Sequence, residues 1–115
     1  MYKTITVEEE YLSDLEEIMY IIGKWAEGEV GILELSIAVN KLLSFLGNIC
    51  GIRVGIKYNI WGVIKHSDKQ VELMLWEIVV NKLVYIILTK VNEREYDITI
   101  ELENDSVIMV KVVGK

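Results

Sequence analysis

Fourteen of the eighteen residues from 71 to 88 are apolar or aromatic, and only Glu72, Glu77, Asn81 and Lys82 interrupt them. A run of this kind must be buried on more than one side or lie in lipid. Its length matches a bilayer-crossing helix, but each of the four polar residues would be costly in hydrocarbon. It therefore reads as the central helix of a water-soluble core. Ser67 and Gln70 stand at capping-box spacing just before it, so the helix is expected over residues 68–91.

Two further helices are expected upstream. Thr6 with Glu9, and Ser13 with Glu16, both have capping-box spacing, so the first helix starts at one of these points. Its apolar residues Leu12, Leu15, Met19, Ile22 and Ala26 step by three and four, with Ile18 and Trp25 widening the stripe. Gly28 and Gly31 interrupt the pattern, which resumes through Ile32, Leu35, Val39, Leu42, Leu46 and Ile49. So short a link sets the two helices antiparallel, and residues 7–50 are expected to form a helical hairpin.

From Ile52 the period changes to two. Ile52, Val54, Ile56, Tyr58 and Ile60 alternate with Arg53, Gly55, Lys57 and Asn59, the pattern of a strand with one wet face. The alternation slips at Ile60-Trp61, which implies a bulge or tight turn near Asn59 before Trp61, Val63 and Lys65 continue extended. At the C-terminal end, Ile98, Ile100 and Leu102 alternate on one arm, and Ile108, Val110 and Val112 on the other. A three-residue loop at Asn104-Asp105-Ser106 would set these opposite each other, with Thr99, Glu101, Met109 and Lys111 on the other face. The expected class is α+β: a single domain over residues 1–115, with the helical hairpin at 7–50 followed at 51–115 by a two-layer unit of strand, long buried helix and C-terminal β-hairpin.

Composition narrows the function. A net charge of −6 is a poor match for a surface that neutralises phosphates, and Arg53 and Arg94 are the only arginines, so nucleic acid is an unfavoured partner. One cysteine, Cys50, and one histidine, His66, cannot build a Cys/His metal cluster within one chain, and no metal or cofactor is expected. Tyr2, Lys3 and Thr4 lead into Glu8, Glu9 and Glu10 without the apolar core of a secretory signal, so the chain is expected to be cytoplasmic and off the membrane. Absent proline, a single glutamine at Gln70 and abundant Ile, Val, Glu and Lys fit a heat-adapted source.

The sharpest candidates for chemistry are Glu77 and Asn81, four apart and thus on one face of the expected helix. The run Trp76-Glu77-Ile78-Val79-Val80-Asn81-Lys82-Leu83, followed by Tyr96-Asp97-Ile98-Thr99-Ile100-Glu101-Leu102-Glu103 and Val107-Ile108-Met109-Val110-Lys111-Val112, resembles the N-box helix and next hairpin of the ATPase superfamily that contains histidine kinases, gyrase and mismatch-repair ATPases. The resemblance covers residues 67–113. It implies a general base at Glu77 and a magnesium-holding amide at Asn81, making both candidate cofactor-binding residues. The chain departs from that family after the hairpin, where Val112-Val113-Gly114-Lys115 stands in place of the Asp-x-Gly-x-Gly motif and no later glycine motif follows. Without those backbone amides to cradle phosphates, a partner chain would have to complete the site.

Other residues read more plainly. His66 is expected to be exposed near the Ser67 cap, Cys50 to be a buried structural thiol, and Asp97 and Glu101 to share a solvated strand face. A winged-helix arrangement fits three helices plus a hairpin, but its recognition helix would be apolar on every side, with only Lys82 and Lys90 as bases. The chain carries more apolar surface than one small domain hides, which points to a homodimer whose helical hairpins pack as four helices. The expected function is a noncatalytic protein-interaction or assembly module with an unidentified protein partner. The alternatives are a degenerate ATPase or nucleotide-binding remnant using Glu77 and Asn81, and a winged-helix-like nucleic-acid binder.

Overall fold

The computed structural model describes residues 1–54, 57–102 and 104–115. In chain order these form β1 (Tyr2–Val7), α1 (Glu9–Ala26), α2 (Ile32–Asn48), β2 (Tyr58–Ser67), β3 (Gln70–Glu77), β4 (Lys82–Asn92), β5 (Glu95–Leu102) and β6 (Val107–Gly114). The six strands make one mixed sheet in the order β1-β6-β5-β4-β3-β2. Every neighbouring pair is antiparallel except β1 with β6, which is parallel. The class is α+β, and the two helices form the hairpin that their apolar stripes imply.

Helix α1 buries Leu12, Leu15, Ile18, Met19 and Ile22 and lies against β2, β3, β5 and β6. Glu9 and Glu10 in its first turn and Lys24 in its last complement the helix dipole. Its cap is not either expected box: Glu8 stands at the N-cap without a side-chain bond, Thr6 belongs to β1, and Ser13 lies inside the helix. The helix ends at Gly28, whose φ of 76° is the left-handed conformation that glycine adopts without strain. Helix α2 packs on α1 and buries Leu35, Ala38, Val39, Leu42, Phe45 and Leu46, while Ile32 at its start is exposed.

The expected third helix is two strands. Residues 68–91 form the β2–β3 turn, β3, a second turn and nearly all of β4. Val71, Leu73 and Leu75 of β3 and Val84, Ile86 and Leu88 of β4 face the helices and are fully buried. Their alternates Met74, Trp76, Leu83, Tyr85 and Ile87 are also apolar, so the period of two that betrays a strand is hidden in the sequence. Ile, Val, Trp and Tyr dominate the run, and these pack better on a pleated sheet than on a helix.

The turns explain the misleading cap. Ser67 pairs with Gln70 across a two-residue turn, and the Ser67 hydroxyl accepts the Lys69 N–H at 3.1 Å. Asn92 does the same for the Arg94 N–H at 2.9 Å in the β4–β5 turn. Short polar side chains that cap helices also close turns, because both uses bond a nearby backbone N–H. Between β3 and β4, Glu77 pairs with Lys82 and Asn81 sits at φ 57°, a conformation that asparagine tolerates better than most residues.

The slip expected at Ile60-Trp61 is present as a register shift in β2 between Ile60 and Gly62. The strand itself begins at Tyr58, later than expected, and the alternating positions Gly55 and Ile56 lie outside the described residues. In the C-terminal hairpin the expected face is kept but the register moves by two. Ile98 pairs with Val110 and Ile100 with Ile108. The turn closes one residue earlier than expected: the Leu102 N–H donates to the Ser106 carbonyl, the Asp105 N–H donates back to the Leu102 carbonyl, and Asp105 adopts φ 63°. Strand β1 was not foreseen. It pairs with β6 from Tyr2↔Met109 to Val7↔Gly114, joining the two ends of the chain across one edge of the sheet.

The turn at Asn81 gives a direct test. Asn81→Gly should leave the urea midpoint unchanged or raise it, and Asn81→Val should cost about 1–2 kcal/mol through the left-handed backbone. A helix through this position would reverse the order, since glycine is then the worse of the two.

Candidate functional site

Two features stand out once the sheet is built. The first is its second face. Both helices lie on one side, and among the described residues no element covers the other. That open face carries Trp61, Ile64, Met74, Trp76, Tyr85 and Ile87 on β2, β3 and β4. Trp61 and Trp76 stack with centroids 5.5 Å apart and planes 20° from parallel, although Trp61 is 65% exposed. Gly62 lies directly opposite Met74, and a Cβ at Gly62 would stand 2.8 Å from the methionine Cε, so the missing side chain is what lets Met74 lie flat.

Polar groups border this patch. His66 Nε2 and Glu72 Oε1 lie 2.9 Å apart, and Gln70 donates to Thr89 Oγ1 at 3.0 Å. On the other side β5 presents Glu95, Asp97, Thr99 and Glu101 as an acidic strip. Lys111 of β6 reaches Glu95 at 3.5 Å, and that carboxylate holds the lysine above its ordinary pKa. Asp97 and Glu101 thus share the solvated face expected of them.

The second feature is a cavity of about 770 Å³. It opens at the end of the fold where α2 finishes and the β3–β4 and β5–β6 turns come together. Leu43, Val54, Val84, Ile100 and Ile108 form its apolar lining, and Asn40, Ser44 and Asn48 of α2 stand on its rim. The Tyr58 hydroxyl donates to Asn40 Oδ1 across that rim.

The two sequence candidates separate here. Glu77, half-buried at the end of β3, lines the cavity. Asn81 is exposed in the turn and does not contribute to the lining. They do not form a ladder on one helical face, because the four-residue spacing here spans a hairpin turn. Asn81 owes its place to backbone conformation. Glu77 and Lys82 are the last register pair of the hairpin.

His66 is exposed, as expected, but bonds across the β2–β3 pair and caps no helix. Cys50 is 1% exposed, and burial pushes its thiol up to about 11, an effect that nearby Lys3 only partly offsets. Lys3 instead donates to the Cys50 carbonyl at 2.8 Å, tying β1 to the end of the helical hairpin. Among the described residues no group of His, Cys, Asp or Glu is placed to hold a metal ion. No helix among them is long and apolar enough to cross a membrane.

Sequence reasoning missed both features for one reason. The outward residues of β3 and β4 were counted as the back of a buried helix, so neither an open face nor a cavity beside Glu77 could be anticipated. The stacking of Trp61 on Trp76 had a signal only in hindsight of the strand pairing. No family model, curated protein or solved structure matches the chain.

The raised Cys50 pKa has a measurable consequence. The folded thiol keeps its proton up to about pH 11, whereas an unfolded one loses it near 8.5. Between those values the unfolded chain binds fewer protons, so stability contributed by the neutral thiol is full below about pH 8.5 and falls as the pH rises toward 11. Urea midpoints measured at about pH 8 and about pH 10.5 should therefore fall more steeply for the native chain than for Cys50→Ala.

Proposed function

We propose that this chain is a noncatalytic assembly module that acts as a homodimer through the open face of its sheet. The observation that carries the reading is the apolar patch on β2, β3 and β4, centred on the Trp61–Trp76 stack. Trp, Tyr and Met are enriched where protein surfaces meet: the aromatic pair offers large contact area with few rotatable bonds, and the flexible methionine fills the gaps between them. Among the described residues nothing lies over the face, and a second copy supplies a matching surface.

Charge favours a two-fold axis through β3. Face-to-face packing about such an axis sets β2 and β4 of one copy over β4 and β2 of the other. The acidic β5 strip then falls outside the partner's last strand and stays in water, so like charges are not opposed in a dry interface. The helical surface is a weaker candidate for pairing. Its exposed apolar residues Tyr20, Ile32, Leu33 and Ile37 are interspersed with Glu17, Glu34, Asn40 and Lys41.

The three strands that overlap, β2, β3 and β4, about 4.8 Å apart and about 26 Å long, cover roughly 370 Å² of each copy in projection, at the low end of interface size. The expected dissociation constant is accordingly on the order of 100 micromolar. Multi-angle light scattering should show mass rising from one chain toward two as concentration increases through that range. Trp61→Glu, at a largely exposed position, should keep the circular dichroism spectrum and abolish the rise. Constant monomer mass in the native chain up to about millimolar concentration would end this reading.

A further inference from the structure

The cavity at the end of α2 is independent of the sheet face and points to a different kind of occupant. Its origin is architectural. Helix α1 lies on the strands and α2 leans chiefly on α1, so a wedge opens between the C-terminal half of α2 and the ends of β4, β5 and β6. The volume, about 770 Å³, lies within the range of roughly 300–1,000 Å³ typical of small-molecule sites. Apolar side chains from five separate segments converge in it, including Leu43, Val54, Val84, Ile100 and Ile108.

The mouth has a charge opposite to that of the whole. The protein carries a net charge of −6, yet Arg53 and Lys82 both line the opening. Lys57 stands beside them, its carbonyl accepting the Ile78 N–H of the β3–β4 turn at 3.0 Å. Lys24, Lys41, Lys65, Lys90, Arg94, Lys111 and Lys115 are each paired with a carboxylate. Among the described residues Arg53, Lys57 and Lys82 are not, nor are Lys69 in the β2–β3 turn and Lys3, which instead donates to the Cys50 carbonyl. Glu77, on the same rim, offsets one of these charges and leaves the opening positive. An apolar cleft behind unpaired cations matches a molecule with an apolar body and one anionic end.

We propose that this cavity binds an amphipathic monoanion of the medium-chain carboxylate class. The chain lies against Leu43, Val84, Ile100 and Ile108, and the carboxylate is held at the mouth by Arg53 and Lys82. The Asn40–Tyr58 hydrogen bond forms one wall of the entrance. Glu77 shares this rim and is the cross-strand neighbour of Lys82.

Decanoate and decanol, both below their aggregation limits, are the probes, read by methyl and amide chemical shifts of the isotope-labelled protein. Decanoate should bind saturably, with shifts concentrated at Leu43, Val84, Ile100 and Ile108. Arg53→Glu, an exposed substitution, should weaken decanoate by roughly threefold to fivefold, the effect of about one exposed ion pair, and leave decanol unchanged. Leu43→Trp should block both by filling the wedge, and Arg53→Glu keeps the test decisive if that variant does not fold. Three outcomes would overturn the proposal: no saturation, shifts confined to the open sheet face around Trp61 and Ile87, or equal weakening of decanoate and decanol by Arg53→Glu. The monomeric Trp61→Glu variant should bind decanoate as the native chain does, which separates this site from the assembly reading.

Discussion

Two helices cover one face of a six-stranded sheet and no more. That constraint organises this molecule. On the covered side, Leu15, Ile22, Leu42 and Leu46 of the helices close over Leu73, Leu75, Ile86, Leu88, Ile98 and Val112, and a single core joins every element of the chain. Burial of this kind is the main favourable term in folding, and truncating any one of these side chains to alanine typically costs about 2–5 kcal/mol. On the uncovered side the same strands need residues that suit a pleated sheet, and the chain fills those places with Trp, Tyr, Met and Ile as well as with polar groups. The open face and the cavity are both products of how far the helical layer reaches: it leaves one face bare, and at one end it stands away from the strands.

The ends of the chain complete the sheet. Tyr2–Val7 lies parallel to Val107–Gly114, and ion pairs between helix and strand reinforce the arrangement. Lys90 of β4 reaches Glu16 of α1 at 2.9 Å, and Lys65 of β2 pairs with Glu27 beyond the end of α1. The hydrogen bond to Glu16 raises the Lys90 pKa, while partial desolvation opposes the rise. Exposed pairs of this type contribute little singly, and their role is to fix where α1 sits once the apolar contacts have placed it.

Much of this was legible in the sequence. The stripes of α1 and α2 are broad and regular, so their spacing identified them and their antiparallel order. The C-terminal hairpin showed itself because Ile98, Ile100, Val110 and Val112 alternate with polar residues, and the irregularity at Ile60-Trp61 was visible because it broke such an alternation. The β3–β4 hairpin was not legible, because both of its faces are apolar and its turn contains no glycine or proline. Residues that would have capped a helix, Ser67 and Gln70, instead close a strand turn. Strand β1 was hidden by distance: its partner lies about a hundred residues away, and six residues alternating with threonine carry little local signal. Of the candidate site, Glu77 was picked out for its polarity in an apolar run, and it does line a cavity, but the reason is the end of a strand. Asn81 was polar because its backbone is left-handed.

The central claim is that the uncovered sheet face meets a second copy of itself. Isotope-filtered NMR on a mixture of labelled and unlabelled chains tests it most directly, since only contacts between copies give signal. The account predicts intermolecular contacts at the methyl groups of Met74, Ile64 and Ile87 and at the rings of Trp61 and Tyr85. Contacts found instead at Leu33 and Ile37 of α2, or none at concentrations where the mass is that of a dimer, would contradict it.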